Sequence, residues 1–184
     1  KDTMLLPNFK YHPAPLATGS IIPADTVCAC CNQPRGFVYV GPVFATAENA
    51  DCICPWCIAD GSAHARLGAS FTDEDGVGGY GDWDEVPDAV IDEVAHRTPG
   101  FSGWQQERWW SHCRDAAQFM GRFGRTELLA LGTGAVEGIR AAIGIEDDEE
   151  WDELLAALSR DESPTAYLFR CAHCGAWGGY YDID

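Results

Sequence analysis

The apolar positions of this chain change their period several times along its length. Phe9 and Tyr11 stand among Pro7, Pro13, Pro15 and Pro23, which predicts an extended leader over 1–26 rather than a helix. His12, in the same leader, is a lone histidine and reads as a surface or packing residue. Gly36-Phe37-Val38-Tyr39-Val40 and Pro42-Val43-Phe44-Ala45-Thr46 are β-prone runs separated by Gly41, and they predict a hairpin. Ile58 to Leu67 reads as a short helix. The Gly- and Asp-rich stretch 68–85 is a loop, and Asp73-Glu74-Asp75 within it lacks the ligand spacing of a calcium loop. Val90, Ile91 and Val94 share one helical face between Pro87 and Pro99-Gly100.

Ser102 and Gln105 then resemble a capping box. Trp109, Trp110, Cys113, Ala116, Ala117, Met120 and Phe123 follow at helical spacing and predict a helical, aromatic core segment. Thr126 to Leu131 and Thr133 to Ile143 read as short helices broken at Gly132 and Gly144. Asp147 with Glu150 forms another capping box, and Trp151, Leu154, Leu155 and Leu158 mark an amphipathic helix. Thr165 to Arg170 and Gly179 to Tyr181 are strand candidates on either side of a Cys171-Ala172-His173-Cys174-Gly175 turn. The expected fold is α+β: a zinc-ribbon lobe with antiparallel strands over 27–67, packed on a small helical bundle. The remainder, 68–184, is expected to be mainly helical and closed by a zinc-knuckle hairpin, with the whole forming one compact domain.

Nine cysteines among 184 residues change the picture most. Cys28 and Cys31 form one C-x-x-C pair, Cys54 and Cys57 a second, and 22 residues separate the two. Structural zinc takes four ligands at tetrahedral angles, and two such turns aim four thiolates at one point. Cys171 and Cys174 form a third pair that needs partners from elsewhere. Cys113 and His112 are the candidates, although neighbours on a helix diverge by about 100°. One or two zinc ions are therefore expected, and the C-terminal pair could instead complete a site with an N-terminal pair. An open fourth position would make bound water acidic, with Asp115 or Glu107 as orienting group or base. Trp104, Trp109 and Trp110 could then line a pocket, with Gln105 and Gln106 as polar anchors. Cys30 and Cys52 fall outside the paired spacing. Cys54-Pro55-Trp56-Cys57 also reads as a redox motif, but the surrounding pattern is not the βαβ context of a thioredoxin-like protein.

Composition narrows the function. An odd cysteine count arranged in C-x-x-C pairs suits metal in a reducing, cytoplasmic setting better than a disulfide framework. No apolar run is long enough to span a bilayer, and Met4 reads as a native start. With 29 acidic against 12 basic residues the net charge is −17, which argues against binding a phosphate backbone; it could attract a basic protein partner, although solubility alone explains it, and a small-molecule partner belongs to the zinc-enzyme reading. The acidic run from Glu146 to Glu153 has a local explanation in the macrodipole of the helix it opens.

Leu6-Pro7-Asn8-Phe9-Lys10-Tyr11-His12-Pro13, the pair Cys28 and Cys31, and Cys54-Pro55-Trp56-Cys57-Ile58-Ala59-Asp60-Gly61 form one group of motifs. Thr98-Pro99-Gly100-Phe101-Ser102-Gly103-Trp104-Gln105-Gln106, His112-Cys113 and Leu168-Phe169-Arg170-Cys171 with Cys174-Gly175 form another. Together they resemble the bacterial CbrC family over nearly the whole chain. The resemblance implies zinc binding and an association with tolerance of a nuclease colicin; it implies no reaction. Three expectations follow: a zinc-stabilised interaction protein in toxin tolerance or stress protection, a zinc-dependent hydrolase of a small toxic molecule, and a thiol redox protein.

Overall fold

The computed structural model describes residues 5–47 and 50–184, so Met4 lies outside the described residues. The chain divides into two compact units, Lys1–Glu74 with Asp88–Ser102, and Asp75–Pro87 with Gly103–Asp184. The fold is α+β, with small antiparallel sheets and six α-helices among the described residues.

In the first unit the proline-rich leader is part of the core. Phe9 and Tyr11 are buried, and His12 is fully so. His12 Nδ1 lies 2.7 Å from the Pro99 carbonyl and Nε2 lies 2.6 Å from Thr18 Oγ1. Burial pulls the His12 pKa down to about 4, against a smaller upward pull from Pro99. The leader also supplies β1 (Ile21–Pro23), which pairs antiparallel with β2 (Phe37–Tyr39) through Ile21↔Tyr39 and Pro23↔Phe37. This corrects the expected hairpin between 36–40 and 42–46. The Tyr39 hydroxyl donates to the Pro42 carbonyl at 2.9 Å, which turns the chain back onto the Tyr39 ring. The second run makes only an isolated bridge, Phe44 to Ser70.

The helix expected over 58–67 is two helices, α1 (Pro55–Ala59) and α2 (Ser62–Leu67). Gly61 breaks them at φ +77°, a conformation glycine adopts without steric cost. The third helix, α3 (Asp88–Arg97), lies where the periodicity placed it. Ile53, Ile58, Ala63 and Phe71 fill the core beside four of the cysteines, Cys28, Cys30, Cys54 and Cys57.

In the second unit the helix expected from Ser102 to Phe123 does not form. The segment makes β3 (Ser111–His112), β4 (Asp115–Ala116) and β5 (Gln118–Phe123). Cys113 and Arg114 sit at φ 56° and 58°, a left-handed two-residue turn that closes the β3–β4 hairpin. Non-local pairing outweighs local period here, because β5 finds a full antiparallel partner in β6 (Thr165–Arg170), with a register shift at Gly121. Next, β6 pairs with β7 (Trp177–Asp182), giving the order β5-β6-β7. Trp109 is fully buried against Phe119 and Phe169, with ring centroids 6.1 and 5.6 Å away, and its Nε1 donates to the Ala117 carbonyl at 2.8 Å. Burial of a side chain that size is worth about 3 kcal/mol at the upper end of apolar transfer.

Three helices pack on this sheet: α4 (Arg125–Leu131), α5 (Thr133–Ile143) and α6 (Asp148–Ala157). The Asp147 carboxylate accepts from the Glu150 amide at 2.8 Å, the cap anticipated for α6. Leu128, Ile139, Trp151, Leu158 and Leu168 form the core between helices and sheet. Gly138 lets α5 approach β7, since a Cβ there would meet the Trp177 backbone. No described helix is long and apolar enough to cross a membrane.

Candidate metal centres

The first cluster gathers Cys28, Cys31, Cys54 and Cys57, with their sulfurs within 4.8 Å of one another. Cys28 and Cys31 lie on a tight knuckle in which Asn32, at φ 56°, donates its amide to the Cys28 carbonyl at 2.8 Å. Cys54 is the N-cap of α1 and Cys57 lies within that helix. The Sγ separations are 3.9 Å for Cys28 to Cys57 and 4.0 Å for Cys31 to Cys54. A zinc–sulfur bond of about 2.3 Å puts tetrahedral thiolates about 3.8 Å apart. The Cys54 amide also points at Cys28 Sγ, at 3.3 Å.

The second cluster gathers His112, Cys113, Cys171 and Cys174 under the same distance limit. His112 Nδ1 lies 3.3 Å from Cys113 Sγ and 3.4 Å from Cys174 Sγ, and the two sulfurs are 3.7 Å apart. The expected divergence of His112 from Cys113 disappears because the pair sits on a hairpin turn, not a helix. The opposite C-x-x-C lies between β6 and β7, where the Gly175 amide donates to the Cys171 carbonyl at 2.9 Å. This cluster is more exposed: Cys171 is buried, but Cys113 and Cys174 are not.

Electrostatics separate the thiols within each cluster. Burial pushes Cys54 up to about 11 and Cys57 well above the ordinary thiol range. Burial also raises Cys31, but hydrogen bonds from the Gln33 backbone, Cys28, Cys57 and Arg35 outweigh it and bring that thiol to about 7. Contact with Cys174 pushes Cys113 up to about 11, while the Ala176 backbone draws Cys174 down. Sulfurs this crowded cannot all ionise unaided, and a divalent cation removes that conflict. Both donor sets therefore fit a metal ion.

The remaining candidate residues are dispersed. Cys30 is buried with its sulfur 3.5 Å from Ser62 Oγ, and Cys52 is exposed; neither joins a cluster. Asp115 Oδ2 pairs with His173 Nε2 at 2.8 Å, and Glu107 accepts the Gly103 amide at 2.8 Å. A cavity of about 710 Å³ in the second unit is lined by Trp110, Gln105 and Gln106, as anticipated. Trp109 is core instead, and the Trp104 indole donates to Thr165 Oγ1 at 2.9 Å. The sequence reading missed Tyr80, Trp83, Trp177 and Tyr180 in the cavity wall, residues that no local motif marks.

Fold and site together define a two-unit α+β protein with two groups of four side chains that could each hold a metal ion, one all-cysteine and one with a histidine. The chain belongs to the family described as "Uncharacterised protein family (UPF0167)", whose model matches residues 6–183. It is 45% identical to the UPF0167 protein Mb2317 of Mycobacterium bovis and to the UPF0167 protein MT2352 of Mycobacterium tuberculosis, in each case over 97% of this chain and 94% of the relative. It is 43% identical to the UPF0167 protein PA1536 of Pseudomonas aeruginosa over 97% of both chains. No solved structure matches it.

Proposed function

We propose that each tetrad holds one zinc ion in a structural role, and that the chain is a CbrC-type cytoplasmic interaction protein serving toxin tolerance or stress protection. The observation that carries this reading is the donor count: each cluster presents four protein ligands, the number that closes a structural zinc site. Thiolate-rich donor sets select zinc over harder cations. A net charge of −17 suits a basic partner, such as the basic face of a nuclease, and disfavours nucleic acid itself.

Full coordination weighs against a zinc hydrolase, which needs an open position for water or substrate. Geometry also weighs against the redox reading. Cys54 and Cys57 of the redox-like motif lie within 4.8 Å of Cys28 and Cys31, so both thiols face a four-sulfur cluster instead of standing as an isolated pair.

Two measurements test the proposal. Native mass spectrometry of the full chain should show two zinc ions. Co-purification with a colicin-type DNase domain at moderate salt should yield a complex that weakens as salt rises. Absence of any complex would remove the toxin-binding form of the reading, and absence of zinc would remove its structural basis.

A further inference from the structure

The cavity in the second unit lies outside the role proposed for the zinc clusters, although His112 belongs to both. Ala141, Ala142 and Gly144 of α5 and its C-terminus line part of the cavity, while Gly138 lets Trp177 close against the helix. The volume of about 710 Å³ falls within the range of small-molecule sites. Aromatic rings line the cavity as well. Trp83 and Tyr180 stand 6.1 Å apart at 50°, and the Trp83 indole donates to the Ala142 carbonyl at 3.1 Å. Tyr180 is braced from behind by Tyr167, stacked at 4.9 Å, and Trp110 is stacked with His112 at 5.3 Å.

The charge around these rings is negative. Asp82, Asp84 and Asp182 line the cavity against one cation, Arg108. Asp182 is nearly buried; its Oδ2 accepts the Trp104 and Gln105 amides, while its Oδ1 is buried with no hydrogen-bond partner among the described residues. The Arg108 guanidinium does not neutralise these acids through an ion pair among the described residues. It lies over the Tyr80 ring, 3.6 Å from its centroid. The protein's own cations thus already use ring faces of this wall, Arg108 at Tyr80 and Arg170 at Trp177, 5.1 Å from its centroid, and Asp182 Oδ1 keeps no hydrogen-bond partner among the described residues.

We propose that this cavity binds a small organic cation, a quaternary or protonated amine carried on an apolar or aromatic body. Ring faces attract such a cation when it lies within about 6 Å of their centroids, most strongly when water is excluded. The excess of cavity carboxylates and the chain's overall charge favour the same sign. An anionic ligand of equal size gains only Arg108 and meets three aspartates.

The experiment uses the zinc-loaded full chain and three probes of similar size: benzyltrimethylammonium, benzyl alcohol and phenylacetate. Indole N–H resonances are followed by NMR. The expected result is saturable movement of the Trp83, Trp110 and Trp177 signals with the ammonium probe, weaker movement with the alcohol and none with phenylacetate. The Trp56 and Trp151 signals should stay in place. Arg108→Gln should tighten ammonium binding and Asp82→Asn should loosen it, each about two- to fivefold, the scale of one exposed charge. Ala142→Trp should fill the space and abolish binding while circular dichroism is unchanged. Equal or tighter binding of phenylacetate overturns the assignment of charge. No response to any probe at millimolar concentration, or movement confined to Trp56 and Trp151, overturns the site itself. These outcomes do not depend on whether a protein partner is found.

Discussion

His112 Nδ1 lies 3.4 Å from Cys174 Sγ, although 62 positions separate the two residues in the chain. The contact joins the β3–β4 turn to the β6–β7 turn through a point that a metal ion would occupy. His112→Ala and Cys174→Ser are each expected to lower affinity for the second metal ion by more than about a hundredfold, the upper end of what losing an outer-shell partner costs. Native mass spectrometry should then read one ion instead of two. Two ions retained in both variants would rule out this tetrad as a site.

Loss of a ligand from the all-cysteine tetrad should have a larger effect. Cys57 is buried among Ile58 and Ala63. A structural zinc contributes on the order of 10 kcal/mol, comparable with the whole stability of a domain. Cys57→Ser is expected to abolish cooperative urea unfolding of the first unit, and a strong chelator should do the same to the unaltered chain. Cys52→Ser, at an exposed thiol outside both tetrads, should leave the transition unchanged. A cooperative transition of Cys57→Ser at the midpoint of the unaltered chain would show that this tetrad contributes nothing to the fold.

His12 predicts an acid-sensitive first unit. Its pKa falls from 6.5 to about 4 on folding because the neutral ring is buried against Pro99 and Thr18. The unfolded chain therefore binds more protons between these values. Stability is intact above pH 6.5 and is lost as the pH falls toward 4, by an amount on the order of 3 kcal/mol. His12→Asn should be less stable near neutrality but should flatten this part of the profile. Urea midpoints across the window, with zinc in excess, measure both; parallel profiles for the two proteins would contradict the assignment.

Gly138 sets two effects against each other. Alanine in the interior of α5 gains about 1 kcal/mol in helix propensity. Its Cβ would meet the Trp177 carbonyl, a backbone group that cannot rotate away. Overpacking of this kind costs about 1–3 kcal/mol, so Gly138→Ala should be net destabilising and lower the urea midpoint of the second unit. A raised midpoint would show that α5 and β7 have room to separate.

The elements legible in the sequence are those whose partners are local. The period of Val90, Ile91 and Val94 placed α3, glycines 132 and 144 bounded α5, and Asp147 with Glu150 marked the start of α6. The paired cysteine spacing likewise marked Cys28, Cys31, Cys54, Cys57, Cys171 and Cys174, because a C-x-x-C turn is itself a local device, but it did not mark His112 or Cys113. Errors arose where long-range pairing competed with local pattern. Trp109 to Phe123 carries a helical spacing, yet its last six residues pair along β6 and Ser111 to Ala116 close a hairpin of their own. Phe37 to Tyr39 lies next to a β-prone run and pairs instead with a strand of the proline-rich leader.

By itself the sequence determined which paired cysteines could ligate a metal, the net acidic charge and the positions of the capped helices, since each depends on residue type and short spacing. Tertiary structure alone decided that His112 and Cys113 converge, because a left-handed turn at Cys113 removes the angular separation a helix would impose. It alone assembled the aromatic cavity, whose walls come from segments that only the folded sheet and α5 bring within reach of one another. Side-chain chemistry is written residue by residue, whereas a concave site depends on contacts between residues far apart in the chain.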